Sequence, residues 1–187
     1  SLITLPVKTK TANLGSAVLV KVKGLRGGHS GVDIHEQRGN AIKILARAIT
    51  ETDVGFALFA LRGGDKHNAI PREAEAGLVV DDPQKLRERL NALEPVLQSE
   101  IEYIDANLVI DVEDADSPEK TLTGESQNTL LDLVRSLPHG VLKMSYDIPE
   151  LVQTSTNLAS VKVDLADGLG VIDMGSRTSL GPDLHPT

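Results

Sequence analysis

The sequence contains no cysteine among its 187 residues. This absence excludes disulfide bonds, thiol catalysis and cysteine-ligated zinc, and it is compatible with a reducing compartment. Aromatic residues are almost as scarce, with two Phe, two Tyr and no Trp. The hydrophobic core must therefore consist mainly of Val, Leu, Ile and Ala, and few residues are left for stacking on nucleic-acid bases.

Positive charge is also in short supply. The formal net charge is -8 at pH 7, the isoelectric point is near 5.1, and Lys and Arg are scattered without a basic run. This distribution argues against a nucleic-acid partner. No apolar run approaches the ~20 residues that a membrane-spanning helix needs, and the N-terminal residues SLITLPVKTK lack the apolar centre of a signal peptide. We therefore expect a cytoplasmic protein that binds neither nucleic acid nor a membrane.

The chain is long enough for one substantial core or for two small modules. Alternation of apolar and charged residues from Ala17 to Lys23 predicts a half-buried strand, and apolar residues at helical spacing predict a helix from Glu36 to Thr50. Acidic residues followed by a proline at 81–83 predict a second helix, which we expect to run to Ile104 with a bend at Pro95. Three further strands are predicted in this part of the chain: Phe56 to Leu61, Arg72 to Val80 and Asn107 to Val112.

The order strand-helix-strand-strand-helix-strand is the ferredoxin-like split βαβ plan, so we predict an α+β fold whose antiparallel sheet carries helices on one face. An acidic connection from Asp111 to Lys120 leads to a second part, either an internal repeat or an extension of one continuous sheet. The whole of 1–187 is then one domain, which could divide into sub-modules 1–115 and 116–187. Pro182 and Pro186 argue against a long C-terminal helix. The elements predicted in the second part are a helix from Gln127 to Leu137 and strands from Val141 to Ser145, Ser155 to Asp164 and Gly170 to Arg177.

Two turns combine glycines with a histidine and an amide side chain. The first, GLRGGHSG at 24–31, follows the first predicted strand, and the second, GGDKHNAIP at 63–71, joins two strands. Small neighbours leave the imidazole of His29 exposed at a strand end, where it can donate to a developing oxyanion or bind a metal. A turn histidine without a function fits the same pattern, and the sequence leaves both interpretations open.

Asn68 and Arg177 are further candidates for a binding site. The amide of Asn68 can hold a substrate carboxylate or amide, or it can cap the hairpin by bonding to local backbone. Arg177 ends a strand and offers a planar guanidinium suited to a carboxylate, although many strand-end arginines are solvated or paired. His29, Asp33 and His35 do not form the converging set of ligands that zinc requires, so we predict no metal site in this chain.

Four segments of the chain resemble the aminoacyl-histidine dipeptidases, a carnosinase-like group of zinc metallopeptidases. These are the GLRGGHSG unit, the GGDKHNAIPREA turn, the TSTNLASV strand and the SRTSL strand end, which occur here in the family's order. The resemblance runs from about Ala17 to Leu180 and concerns only the lid, or dimerisation, domain. It implies that a separate catalytic domain of the same polypeptide binds two zinc ions and hydrolyses Xaa-His dipeptides beneath this lid. The HxD motif, the paired glutamates and the other metal ligands of that domain are not in this chain.

The resemblance also implies roles for the three candidates. His29 matches a lid histidine that approaches the scissile carbonyl and stabilises the transition state, often from the partner subunit. Asn68 matches an amide near the dipeptide substrate, and Arg177 matches an arginine that grips the substrate's terminal carboxylate. Without its catalytic domain the chain is expected to be inactive. It could form a homodimer through an edge strand and the first helix, unless the second part mimics such a partner within one chain. The alternative is a stand-alone ferredoxin-like module for small-molecule binding or self-association.

Overall fold

The computed structural model describes residues 1–179. Within this range the chain forms helices α1 (Ala41–Glu51), α2 (Pro83–Ile101) and α3 (Gly124–Ser136), and a short 3-10 helix at Ile34–Glu36. The part of the chain described contains no helix long and apolar enough to cross a lipid bilayer. The prediction for Pro182 and Pro186 concerns residues outside that range. The strands in chain order are β1 (Leu2–Pro6), β2 (Thr9–Thr11), β3 (Ser16–Lys23), β4 (Gly28–His29), β5 (Phe56–Gly63), β6 (Ala69–Ile70), β7 (Ala74–Val80), β8 (Val109–Asp114), β9 (Lys120–Leu122), β10 (Gly140–Met144), β11 (Val152–Asp164) and β12 (Leu169–Thr178).

Eight of these strands form one antiparallel sheet. Its order is β1-β12-β11-β5-β7-β3-β8, with β10 paired to β11 as well. The strands β3, β5, β7 and β8, connected through α1 and α2, have the ferredoxin-like arrangement, because the first of them lies between the third and the fourth. The predicted α+β, ferredoxin-like fold is confirmed, and the second part of the chain continues the same sheet. Two small sheets, β2-β9 and β4-β6, lie beside it.

The hydrophobic core lies between the sheet and a single layer of helices. Val18, Val20 and Val22 of β3 face this core and are at most 1% exposed, as their alternation in the sequence predicts. Helix α1 contacts both α2 and α3 and is the middle helix of the layer. On the opposite face, the part of the sheet around β3 and β8 is partly exposed to solvent. There Lys21 and Lys23 pair with carboxylates of β8, at 2.5 and 2.8 Å.

Helix α1 begins at Ala41, and the prediction that it begins at Glu36 is wrong. Asn40 is the N-cap, because its Oδ1 accepts the backbone N–H groups of Ile42 and Lys43 at 3.1 and 3.3 Å. Gln37 just before it has a left-handed backbone, with φ of 56°. The same asparagine donates through Nδ2 to the carbonyl of Leu158 at 2.9 Å. Asn40 therefore starts the helix and ties it to β11.

Three short strands, β1, β2 and β9, were not predicted. Strand β1 pairs with β12, and β2 pairs with β9. The residues of β1 and β2 are exposed or half-buried, and β9 has only three residues, of which Thr121 and Leu122 are buried, so no regular apolar alternation identifies these strands in the sequence. The predicted connection from Asp111 to Lys120 is shorter than expected, since β8 continues to Asp114 and β9 begins at Lys120.

The outer edge of β5 is covered by the second part of the chain in two places. Arg62 and Gly63 pair with residues of β11. At the other end of β5, the Gln127 carboxamide of α3 accepts the N–H of Leu58 at 2.8 Å and donates to the carbonyl of Phe56 at 3.3 Å. The side chain of Gln127 thus replaces a neighbouring strand where β11 does not reach.

Lys43 of α1 and His139, which follows α3, are half-buried polar residues near the C-terminal end of α3. The Lys43 ammonium donates to the carbonyls of Val134, Arg135 and Leu137, and so caps the C-terminus of α3. Burial lowers the pKa of Lys43, and the nearby Arg135 lowers it further. Burial is also the main reason why the pKa of His139 falls to about 4, with the charge of Lys43 adding to the effect. The imidazole is therefore neutral in the folded protein at neutral pH.

We expect this histidine to make the fold sensitive to acid. As the pH falls from 6.5 to about 4, the unfolded chain binds a proton at His139 that the folded chain does not bind, so the free energy of unfolding decreases. The gap corresponds to about 3 kcal/mol, none of it lost above pH 6.5. Urea unfolding of the chain and of His139→Gln between pH 4 and 7 measures how much His139 contributes to the loss of unfolding free energy in acid. The variant is expected to show a shallower acid-side slope, with His35→Gln as the control for removing an exposed imidazole. Equal slopes for the chain and His139→Gln would contradict the assignment.

Candidate functional site

The glycine-rich turn after β3 folds back onto its own end. The guanidinium of Arg38 donates to the carbonyl of Gly27 at 2.6 Å and pairs with Asp33 at 3.2 Å. A Cβ on Gly28, whose φ is 150°, would lie 2.3 Å from that guanidinium. A side chain at this position would therefore displace Arg38, which explains why glycine is required.

This arrangement fixes the backbone of His29. The carboxylate of Asp33 accepts the N–H of His29 at 2.8 Å while it is held by Arg38. A hydrogen bond to Glu36 raises the pKa of Arg38, and the Asp33 carboxylate adds to this effect. The cation therefore persists at any physiological pH and keeps the turn closed.

Asn68 reaches His29 through a short two-stranded ladder. His29 of β4 lies opposite Ala69 of β6, and the N–H of Ser30 donates to the carbonyl of Asn68 at 2.8 Å. The Asn68 carboxamide lies 3.4 Å from Nε2 of His29. Two segments almost forty residues apart in sequence therefore meet at one point.

Hydrogen bonding selects the tautomer of His29. The N–H of Gly31 donates to Nδ1 at 3.1 Å, so the proton of the neutral ring resides on Nε2. The Asn68 carboxamide can turn by 180° and place its oxygen where it accepts this proton. An exposed ring of this kind presents a hydrogen-bond donor, which is what an oxyanion requires.

Arg177 lies beside the same turn. Its guanidinium occupies the space over Gly31, where a Cβ would be 2.6 Å from the central carbon of the guanidinium. The residue is exposed, and among residues 1–179 its side chain has no carboxylate partner. A cleft of about 530 Å³ adjoins it, with Val32 and Leu151 among its lining. His29, Asn68 and Arg177, predicted separately from the sequence, are thus neighbours on one side of the molecule.

Sequence reasoning missed the residue that closes this turn. The carboxylate of Asp105 is 1% exposed and accepts two backbone N–H groups at 2.6 Å, those of Arg26 and Gly39. It thereby ties the glycine-rich turn to Gly39, the residue just before the N-cap of α1. A lone aspartate after a helix gives no signal of such a role, because its partners lie 66 and 79 residues away.

His67, in the same turn as Asn68, is paired in the structure. Its Nδ1 lies 2.7 Å from Oδ2 of Asp173 in β12. Asn157 of β11 adds a second support, because its amide donates to the carbonyl of Ala69 at 2.8 Å. The turn that carries Asn68 therefore rests on both long strands of the second part of the chain.

The described residues do not suit a metal ion. Within 1–179 no group of three or more His, Asp or Glu side chains could hold one. The carboxylate of Asp33 is engaged by His29 and Arg38, and Nδ1 of His29 accepts a backbone N–H. The zinc ions implied by the family resemblance have no ligand set in this part of the chain.

Comparisons with known proteins agree with the resemblance. Residues 20–102 match the family described as a peptidase dimerisation domain. The cytosol non-specific dipeptidase of Escherichia coli (strain K12) is 33% identical over 144 residues, which are 75% of this chain and 30% of that protein. The aminoacylhistidine dipeptidase from Vibrio alginolyticus superposes with a TM-score of 0.92 at 27% identity, over 97% of this chain and 38% of that structure. The chain thus spans about a third of the length of each relative, and the predicted resemblance to the dimerisation domain of this dipeptidase group is confirmed.

The closing role of Asp105 can be tested by unfolding. In Asp105→Asn the carboxamide NH2 faces a backbone N–H that loses its acceptor, so we expect the free energy of unfolding to fall by about 1 to 3 kcal/mol. Urea unfolding at pH 7 measures the change. Asp116→Asn removes an exposed carboxylate and is the matched control. If both variants unfold at the same urea concentration, Asp105 does not hold the turn.

Proposed function

Because residues 20–102 place this chain in the peptidase dimerisation domain family, we propose that it is the lid of a zinc-dependent dipeptidase that hydrolyses Xaa-His dipeptides. The observation that carries the proposal is the convergence of His29, Asn68 and Arg177 from three distant segments. Self-association alone does not require a hydrogen-bond donor, an amide and a guanidinium without a carboxylate partner among residues 1–179 at one place.

In this proposal His29 stabilises the transition state. The N–H of Gly31 donates to Nδ1, so the proton of the neutral ring is on Nε2, beside the Asn68 carboxamide. This proton is donated to the oxygen of the scissile carbonyl in place of Asn68 as negative charge develops on that oxygen. The carboxamide of Asn68 is close enough to orient the imidazole or to bind the same substrate oxygen or a neighbouring one. The lid thus supplies donors and orientation, without a nucleophile of its own.

Arg177 is proposed to bind the terminal carboxylate of the dipeptide. A guanidinium binds a carboxylate through two parallel hydrogen bonds, and this one has no competing carboxylate partner within residues 1–179. One residue of peptide backbone, about 3.8 Å between successive Cα atoms, separates the scissile carbonyl from the terminal carboxylate. The Arg177 guanidinium lies over Gly31, which is two residues from His29. One dipeptide is therefore proposed to contact both side chains.

The remainder of the reaction is assigned to a separate catalytic domain of the same polypeptide. Two zinc ions bound there would activate water for attack on the peptide bond, since within residues 1–179 no group of three or more His, Asp or Glu side chains could hold a metal ion. The chain alone is therefore expected to hydrolyse no dipeptide, even with zinc added. A cytoplasmic location is proposed because the Escherichia coli relative is a cytosol dipeptidase.

The whole of 1–187 is proposed to act as one lid, with 1–115 and 116–187 as its two parts. Helix α1, expected to face a second copy, instead lies between α2 and α3, and the edge of β5 is covered within the chain. A homodimer through the lid would therefore use an end strand of the sheet, β1 or β8. In such a dimer His29 could serve the active site of the partner subunit.

A stand-alone ferredoxin-like module for binding or self-association is the second candidate. It is favoured by the single hydrophobic core and the continuous eight-stranded sheet that residues 1–179 form among themselves. The two proposals differ in one measurable respect: only the lid of an enzyme affects a catalytic constant.

Substitution of His29 in the complete dipeptidase tests the proposed function. His29→Ala removes the Nε2 donor, and we expect kcat for an Xaa-His dipeptide to fall at least about tenfold. His29→Gln retains an N–H donor and is expected to lose less activity, while Asp116→Asn serves as a distant control. An unchanged kcat in His29→Ala would remove this histidine from the mechanism.

Gly31→Ala offers a test of Arg177 that does not change the arginine. The added methyl group displaces the guanidinium, a flexible group, so we expect KM to rise about tenfold while the stability of the fold is retained. Gly124→Ala is the matched control, because a Cβ there meets nothing within 4 Å. Steady-state kinetics in an Arg177→Ala background complete the test. If Gly31→Ala raises KM equally in that background, the effect does not pass through Arg177.

A further inference from the structure

The contact between His67 and Asp173 joins the Asn68 turn to the sheet. Nδ1 of the imidazole lies 2.7 Å from the carboxylate, 106 residues away in sequence. The carboxylate is 22% exposed and the imidazole 62%. Because Asp173 accepts at Nδ1, the ring carries its proton there. This is the reverse of His29, where Nδ1 is an acceptor.

Strand β12 is shaped to receive this histidine. Asp173, Gly175 and Arg177 alternate with the buried Ile172 and Met174, so the three lie on the face of the sheet away from the core. The imidazole lies above Gly175, where a Cβ would be 3.1 Å from the carbonyl oxygen of His67. One face of β12 therefore carries, in successive positions, the carboxylate that holds His67, a space for its ring, and Arg177.

The rest of the turn has few attachments before Asn68. Gly64 to Asn68 are all exposed, and within residues 1–179 the side chains of Asp65 and Lys66 have no ion-pair or hydrogen-bond partner. The carbonyl of Asn68 accepts the N–H of Ser30, and the carbonyl of Ala69 accepts the side-chain amide of Asn157. Within the turn, the N–H of Ala69 donates to the carbonyl of Lys66 at 3.1 Å. Among residues 1–179, the side chain of His67 is the hydrogen-bonding group that joins the turn before Asn68 to β12.

We infer that His67 and Asp173 are positioning residues for the candidate site, which hold the turn Gly64–Asn68 on β12 so that the Asn68 carboxamide faces Nε2 of His29. The pair acts through Asn68 and need not touch substrate. This inference rests on the proposed function for its effect on catalysis, but its effect on the order of the turn is independent of any reaction.

The first experiment measures the order of the turn in the 187-residue chain. Heteronuclear 15N NOE values for residues 64–68 are expected to fall in His67→Ala and in Asp173→Ala. His67→Asn can still donate to Asp173 and is expected to restore them, while Lys66→Ala in the same turn leaves them unchanged. NOE values in His67→Ala that equal those of the chain would overturn the inference, because the turn would then be held without the pair.

The second experiment uses the complete dipeptidase. His67→Ala is expected to lower kcat about three- to tenfold with a smaller change in KM, and to have no further effect in an Asn68→Ala background. Recovery of kcat in His67→Asn supports positioning, since an ion pair that only stabilises the surface would not change kcat. If the turn loosens in the NMR experiment while kcat stays constant, the pair holds the turn but the role proposed for Asn68 in the reaction fails. An equal loss of kcat with and without Asn68 overturns the proposal that the pair acts through this residue.

Discussion

The candidate site depends on one buried carboxylate. Asp105 accepts the backbone N–H groups of Arg26 and Gly39, so the segment from the glycine-rich turn to the start of α1 is held as a closed loop. The next residue after the loop, Asn40, starts α1 and bonds to β11. Closing the loop therefore sets the positions of the central helix and of His29 together. Within the loop, Asp33 and Arg38 hold the backbone of His29 and Gly27 by hydrogen bonds.

The regular part of the fold follows from local patterns. Apolar alternation in β3 and helical periodicity in α1 and α2 have a physical cause, burial against one core, and they predicted the ferredoxin-like plan. The error at the start of α1 has a different origin. Periodicity identifies which residues are buried, whereas a helix begins where backbone N–H groups find an acceptor, here Asn40. Strands β1, β2 and β9 could not be predicted from periodicity either. They form because their backbones pair with other strands, and their sequences have no regular apolar alternation.

The candidate residues divide in a similar way. His29 and Asn68 stand out in the sequence because glycines and a proline around them predict exposed turns, and Arg177 because it ends a strand. Their proximity could not be read from spacing, since it arises from the β4-β6 ladder and from the position of β12. The hydrogen bonds of Asp105, His67 and Asp173 could not be predicted from the sequence, because each residue has its partner at least 66 residues away. The three candidate site residues thus have a recognisable local sequence context, whereas the residues that hold their turns in place do not.

The covering of β5 has a consequence for synthesis of the chain on the ribosome. Leu58 is satisfied by Gln127, 69 residues later, and Arg62 pairs with Lys162, 100 residues later. At about 5 to 20 residues per second, this strand edge emerges roughly 5 to 20 s before its cover is complete. During that interval the nascent first part exposes unpaired backbone groups of a hydrophobic strand, which is the kind of segment that other chains can pair with. The single sheet that unites the two parts therefore leaves the edge of β5 unpaired until the second part of the chain has been synthesised.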